Sequence, residues 1–501
     1  MQPLISSLDE ANRTLIDNVH PEDWRNPTKS GVYDLIAIGG GTPGLVCAAG
    51  AAALGARVAL IERHLLGGDC LNTGCVPSKA LLRSARVIGE MRRAPRLGVR
   101  VGPVDPDFAA IMQRMRERRA AISPHDSAQR LSSLGVDVYF GDARFVGTDA
   151  LVVDGQRLRF ARAVIATGSH PTASPIPGLA SVPFLTSETL FSLSRLPPRL
   201  AIVGGGPIGC EMAQAFARFG SAVTIVKQAD HVLPREDPDA AALVEAALHR
   251  DGVTVATGVR LLDVSQTASG YRLGGQTSGG IRDVVVDDVL VAAGRSPNTT
   301  SLDLDAARVS CSKDGIVVDD RLRTSNRRIY AAGDVCSRFQ FTHAAEAMAR
   351  IVIQNALFFG RRRASALTMP WCTYTDPEVA HVGLYEAEAR STGRRVETIT
   401  VRFDEVDRAL IDEETEGFVR VHHDGGQLLG CTIVAPHAGE MIGEAVYAVA
   451  HGGTLTDLSS TIHPYPTLAE ALRKTGDQFR RGSLTPGVRR WLERYFRWTR
   501  S

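Results

Sequence analysis

The chain has 501 residues with 57 Lys+Arg against 55 Asp+Glu, so its formal charge is only +2. That balance leaves no basic footprint for nucleic acid, and 44% hydrophobic residues with 48 glycines exclude a mainly disordered chain. At this length about two to four domains are expected.

Residues 1–30 read as a polar N-terminal extension ending near Pro21, Pro27 and Lys29. The start, MQPLISSLDEANRTL, lacks a basic segment followed by an apolar one, so no secretory signal is expected and a cytoplasmic location is. The longest apolar run, from about Leu35 to Ile61, is broken by Gly39, Gly40, Gly41, Pro43, Gly44, Gly50, Gly55 and Arg57, unlike a membrane span. It reads instead as strand VYDLIAI, a glycine turn, an alanine-rich helix and the strand RVALIE, one βαβ unit. A similar unit recurs from Arg199 to Val226. Between them lie a helical stretch from about Asp107 to Leu134 and short strands such as VDVYF. From Thr368 the texture changes to alternating strands and the helix GEMIGEAVYAVA, a separate α+β domain.

In the first unit Gly39, Gly41 and Gly44 form G-x-G-x-x-G between strand and helix, and Glu62 closes the next strand about twenty residues on. Gly39 permits the tight turn, Gly41 lets backbone approach a pyrophosphate, and Gly44 lets helix and strand pack closely. Glu62 would accept hydrogen bonds from ribose hydroxyls. Gly204, Gly206 and Gly209 repeat the pattern, but that second strand ends at Lys227. A lysine there favours a 2′-phosphate, so NADPH is expected over NADH, with a solvated lysine as the alternative. Two such turns imply two dinucleotides, and a hydride donor beside a hydride acceptor points to a nicotinamide with FAD.

Of the eight cysteines only Cys70 and Cys75 are close together, in GGDCLNTGCVPSK. Their spacing is wrong for a bridge within a regular helix, but Gly67, Gly68 and Gly74 allow an irregular turn. Pro77 suits the first turn of a following helix, and Cys75 at its start would gain thiolate character. Cys47 and Cys210 read as small apolar packing residues. No further ligands accompany the pair, so a zinc site is not expected.

GGDCLNTGCVPSK, ATGS at Ala166–Ser169, GGGPIGCEMA, AAGRSPN at Ala292–Asn298 and AAGDV at Ala331–Val335 occur in one order. Together they resemble the class I pyridine nucleotide-disulfide oxidoreductases, which include dihydrolipoamide dehydrogenase, glutathione reductase and mercuric reductase. The resemblance implies an α/β fold with two Rossmann-like domains and a C-terminal α+β dimerisation domain. The expected parts are FAD domain 31–180 and 301–362, NAD(P) domain 181–300, dimerisation domain 366–480 and a basic aromatic tail 481–501. It further implies a homodimer and a redox-active Cys70–Cys75 disulfide, with Cys75 against the flavin and Cys70 exchanging with substrate. Lys79 and Glu211 match the pair beside the flavin, and Asp334 would bind its ribityl chain. Gly68, Thr167, Gly168, Gly294, Arg295 and Gly333 fall in the matching cofactor motifs.

Thiol-linked members carry H-P-T-x-x-E in the dimerisation domain, where this chain has His463-Pro464-Tyr465-Pro466-Thr467-Leu468-Ala469-Glu470. Tyr465 replaces the catalytic histidine, and a phenol is a poor base at neutral pH. Glu470 is retained; His463 either takes over the role or is structural. A tyrosine there resembles mercuric reductase, whose C-terminal vicinal cysteines are missing, since the last cysteine is Cys431. The oxidants expected are therefore Hg(II), a small disulfide or a quinone. The alternatives are a dihydrolipoamide dehydrogenase and a non-catalytic flavin-binding interaction protein. The arginines and aromatics from Phe479 onward read as a helix on the dimer surface, with peripheral contact to anionic lipid as the other reading.

Overall fold

The structure, a computed structural model, describes Ile5 and residues 9–28, 30–172 and 175–500. Lys29 and the first four residues lie outside the described residues. The chain forms two compact units, Met1–Asp230 with Asp251–Leu367, and His231–Arg250 with Thr368–Ser501. The architecture is mixed α/β, as expected.

In the first unit, strands β1 (Val32–Ile38), β2 (Val58–Glu62) and β3 (Val136–Phe140) are parallel in the order β3-β2-β1, and Gln156–Ile165 then Ile329–Ala331 extend the sheet. Leu35, Ile36 and Ala37 of β1 have no exposure, because a parallel sheet is covered on both faces. Helix α2 (Thr42–Ala53) is built from Ala and Gly so that it can approach the helix Thr342–Leu357 closely; a Cβ on Gly50 would meet Ile353 Cδ1 at 2.8 Å. Cys47 and Cys210 are fully buried, and burial pushes the Cys47 thiol up to about 12, which fits their reading as packing residues.

A second parallel sheet runs Thr254–Ala256, Ala222–Val226, Arg199–Val203 and Asp288–Val291, beside a three-stranded meander spanning 260–286. The N-terminal extension is not simply polar. Helix α1 (Glu10–Val19) is capped by Asp9, which accepts from the Asn12 N–H at 2.9 Å, and it buries Ala11, Asn12, Leu15 and Val19. That face packs on α5 (Phe108–Ile122), whose buried Arg119 donates to Asn12 Oδ1 at 2.7 Å.

In the second unit a five-stranded antiparallel sheet, from Pro370–Thr373 through Glu397–Arg402, packs against helices Ala438–Ala450 and Glu470–Gly482. The helix Pro238–Arg250 joins it through the Arg420 guanidinium, 2.9 Å from Asp237 and 2.5 Å from Asp239. A final helix, Pro486–Trp498, buries none of its residues among those described. Among the described residues no helix is long and apolar enough to cross a membrane.

Candidate active site

Both glycine turns fold as their motifs require. Gly39 and Gly204 sit at φ +107° and +117°, where a Cβ would strike the carbonyls of Ala166 and Ala292. A Cβ on Gly44 or Gly209 would lie 1.8 or 2.1 Å from the carbonyl oxygen of Gly39 or Gly204, so strand and helix touch through bare backbone. The middle glycines differ. Gly41 and Gly206, the N-caps of α2 and of the helix Pro207–Phe219, have φ −80°, which any residue adopts. A Cβ would be 3.7 Å from Gly68 Cα at Gly41 and within 4 Å of nothing at Gly206. The chain itself gives no reason for glycine there, whereas a phosphate lying against the helix N-terminus does. The residues present thus fit two dinucleotides.

Glu62 ends β2 and accepts from the N–H groups of Gly40 (2.6 Å) and His64 (2.7 Å), which fixes the carboxylate and leaves lone pairs for hydroxyls. Burial pushes its carboxyl up, against those two backbone donors. Gly68 packs on the turn, since a Cβ there would be 2.7 Å from Gly41 Cα. Gly333, at φ +83°, faces Pro43 of α2.

The cysteine segment is two helices broken at Thr73-Gly74. Cys70 lies in the short α3 (Gly68–Asn72), and Cys75 opens α4 (Cys75–Arg93), with Pro77 in its first turn. A Cβ on Gly74 would meet the Asp69 carbonyl at 2.7 Å, which keeps the break tight. Both cysteines are thiols here, and they interact directly. The hydrogen bond from Cys70, aided by the Thr342 hydroxyl and the Lys79 charge, lowers Cys75 to about 6 against burial and Glu211. The same contact with Cys75, together with burial, raises Cys70 well above the ordinary thiol range. The thiolate form is thus favoured at Cys75 over Cys70.

Lys79, one turn after Cys75, bonds Glu211 of the helix Pro207–Phe219 at 2.8 Å. Glu211 is buried and Lys79 half-buried. Thr167 and Asn298 are bound reciprocally: Thr167 Oγ1 donates to the Asn298 carbonyl (2.7 Å), and Asn298 Nδ2 to the Thr167 carbonyl (2.8 Å). Gly168, at φ +67°, accepts the Asn298 N–H. Gly294, at φ +125°, accepts the Thr172 N–H. Arg295 donates to Ser169 Oγ at 2.7 Å and pairs with Asp69, next to Cys70. Ser169 donates in turn to Asp334 at 2.7 Å, and burial raises the Asp334 carboxyl. One polar chain thus links Asp334 to the segment carrying Cys70.

Lys227 is only 7% exposed. Tyr465, His463 and Glu470 belong to the second unit. Tyr465 is exposed and donates to Asp407 Oδ2 at 2.9 Å, and that bond raises the phenol further. His463 Nε2 lies 2.9 Å from Glu444 and Nδ1 3.1 Å from the Thr461 carbonyl, so both ring nitrogens are engaged in structure. Glu470 is buried and paired with Arg473 at 2.6 Å.

Sequence reading missed three contributors. Thr342 opens the helix after AAGDV and touches Cys75 at 3.3 Å. Arg119 donates to the Asn72 carbonyl, between the cysteines, as well as to Asn12. Asp69, although inside the motif, gave no sign of its partner Arg295.

A paired dinucleotide cradle with a close cysteine pair at a helix start defines a flavin-dependent disulfide oxidoreductase. Residues 33–349 match the pyridine nucleotide-disulphide oxidoreductase family, and 369–475 match its dimerisation domain; the chain belongs to this family. The mercuric reductase of Streptomyces lividans is 36% identical over 89% of this chain and 96% of its own length. That of Bacillus cereus is 36% identical over 88% of this chain and 70% of its own. The dihydrolipoyl dehydrogenase of Bacillus subtilis (strain 168) is 33% identical over 88% of this chain and 96% of its own. Among solved structures, the HOCl-induced flavoprotein disulfide reductase RclA from Escherichia coli superposes with TM-score 0.79 at 30% identity, covering 89% of this chain and 99% of that one. The protein is an NAD(P)H-dependent FAD disulfide oxidoreductase.

Proposed function

We propose that this enzyme carries reducing equivalents from NADPH, through FAD and the Cys70–Cys75 pair, to a soft metal ion, with Hg(II) as the leading substrate. FAD, when bound, takes hydride from the nicotinamide and passes on an electron pair. Gly39, Gly41, Gly44, Glu62 and Asp334 would hold it, and Lys79 would offset negative charge that develops beside it. Gly204, Gly206, Gly209 and Lys227 would hold the nicotinamide dinucleotide. The Cys75 thiolate and Cys70, whose proton passes to solvent, would bind Hg(II) as a dithiolate; the electron pair drawn from NADPH by way of bound FAD would reduce Hg(II) to Hg(0), which departs, and Cys70 regains a proton from solvent.

The observation that carries this reading is Tyr465, a phenol held by Asp407 where thiol-linked members place an imidazole. Dithiol oxidation needs proton transfer at that point, whereas capture of a soft cation needs thiolates. The chain acts as a homodimer in the cytoplasm, with the dimerisation-domain match in support. A small disulfide or a quinone is the second reading for the oxidant. RclA from Escherichia coli has also been solved as a Cu(II) complex, which adds Cu(II) to the candidates.

Anaerobically prepared holoenzyme is assayed for Hg(II)-dependent NADPH oxidation in excess thiol, with Cys70→Ala as control. Turnover lost in the variant supports the reading; no Hg(II)-dependent turnover overturns it and moves the search to disulfides, quinones and Cu(II). The same assay ranks NADPH against NADH. Lys227→Glu is expected to shift the kcat/KM ratio toward NADH by roughly tenfold or more, and an NADH preference in the unaltered enzyme overturns the role given to Lys227.

A further inference from the structure

The helix Pro486–Trp498 is capped by Thr485, which accepts from the Val488 N–H at 3.3 Å, and it lies beyond the matched dimerisation domain. Its residues separate into two sides at helical spacing. Val488, Trp491, Leu492, Tyr495, Phe496 and Trp498 share one side. The other carries Arg489, Arg490, Arg494 and Arg497 with a lone acid, Glu493, and Arg500 follows at the end. The apolar side is open: Trp491 is 63% exposed, Phe496 52% and Trp498 72%. The rings pack on one another, with Trp491 stacked on Tyr495 at 5.9 Å and Tyr495 edge-on to Phe496 at 5.5 Å.

From this segregation we propose that the helix docks the enzyme on an anionic lipid surface, lying in the interface with its aromatic side inserted. Charge complementarity selects lipid over a second copy of the chain. A second copy would present the same guanidinium side, whereas anionic headgroups flank an inserted apolar strip with negative charge on both edges. Tryptophan and tyrosine rings also suit the headgroup level, where one edge stays wet and the other is apolar. The helix is too short and too charged to span a bilayer, so the attachment is peripheral and reversible.

The test uses full-length holoenzyme sedimented with vesicles of phosphatidylcholine alone or mixed with phosphatidylglycerol. It is compared with a Trp491→Ser/Phe496→Ser variant and with a chain ending at Gly482. Binding is expected only to the phosphatidylglycerol mixture, weakening with salt, and falling by roughly tenfold or more in both altered proteins. Unchanged flavin content and melting temperature in the double variant separate lost docking from lost fold. Equal sedimentation of parent and double variant overturns the proposal, as does equal binding to phosphatidylcholine alone. It is equally overturned if lipid binding is absent and the double variant lowers the oligomeric state, which would assign the face to a second copy.

Discussion

The Thr342 hydroxyl lies 3.3 Å from the Cys75 sulfur, so the first residue of one helix touches the first residue of another. Thr342→Val removes that hydroxyl with little change of volume and is expected to raise the Cys75 titration midpoint, while Thr342→Ser keeps it low. Thiolate absorbance against pH, with Cys75→Ser as blank, makes the comparison. An unmoved midpoint in the valine variant would show the hydroxyl to be a bystander.

The pair should titrate in two well-separated steps, because Cys75 is lowered to about 6 and Cys70 is raised. Protonating Cys75 as the pH falls through about 6 removes the stabilisation this depressed thiol contributes, which is fully present only above its ordinary value of 9.0. Cys70 has the opposite sign: its contribution is present below 9.0 and disappears at higher pH. Cys70→Ala deletes the largest cause of the Cys75 shift and is expected to move that first step upward. A single step near the ordinary thiol range in the parent protein would contradict the assignment.

Arg119, 3% exposed, bridges α1 and the segment between the cysteines, and burial lowers its guanidinium to about 10, still charged at neutral pH. Asn12→Leu keeps the volume but withdraws one acceptor from a buried charge. A loss of about 1–3 kcal/mol is expected in urea unfolding of the reduced protein, and Asn12→Asp, which restores an acceptor, should recover most of it. No loss in the leucine variant would mean that the extension is held by Leu15 and Val19 alone.

His463→Ala is expected to lower stability by about 1–2 kcal/mol through its bond to Glu444 while leaving turnover of any disulfide substrate intact. Collapse of disulfide turnover at unchanged stability would instead make His463 the acid/base group that Tyr465 cannot be.

What the sequence made legible was local. The glycine turns, Glu62 and the Cys70–Cys75 break act through neighbours a few residues away or through one βαβ unit, so spacing alone carries their chemistry. Thr342 and Cys75 are 267 positions apart and Arg119 and Asn12 are 107, and no periodicity connects such pairs. Helix α1 is a different case: Asp9 as cap and Ala11, Leu15 and Val19 at four-residue steps were visible, but short helices with polar neighbours read easily as loop. The burial of Lys227 was hidden because strand ends are equally consistent with solvent and with core.

Gly41 and Gly206 have one more consequence. Because an added methyl group would meet little or nothing of the protein at ordinary φ, alanine there should leave the cofactor-free fold intact, or firmer by about 0.4–1 kcal/mol from a stiffer unfolded chain. A survey of variants scored by cellular abundance would pass both substitutions as neutral, whereas one scored by turnover would reject them. At Gly44 and Gly209, where the methyl group would collide with backbone, the two surveys should agree.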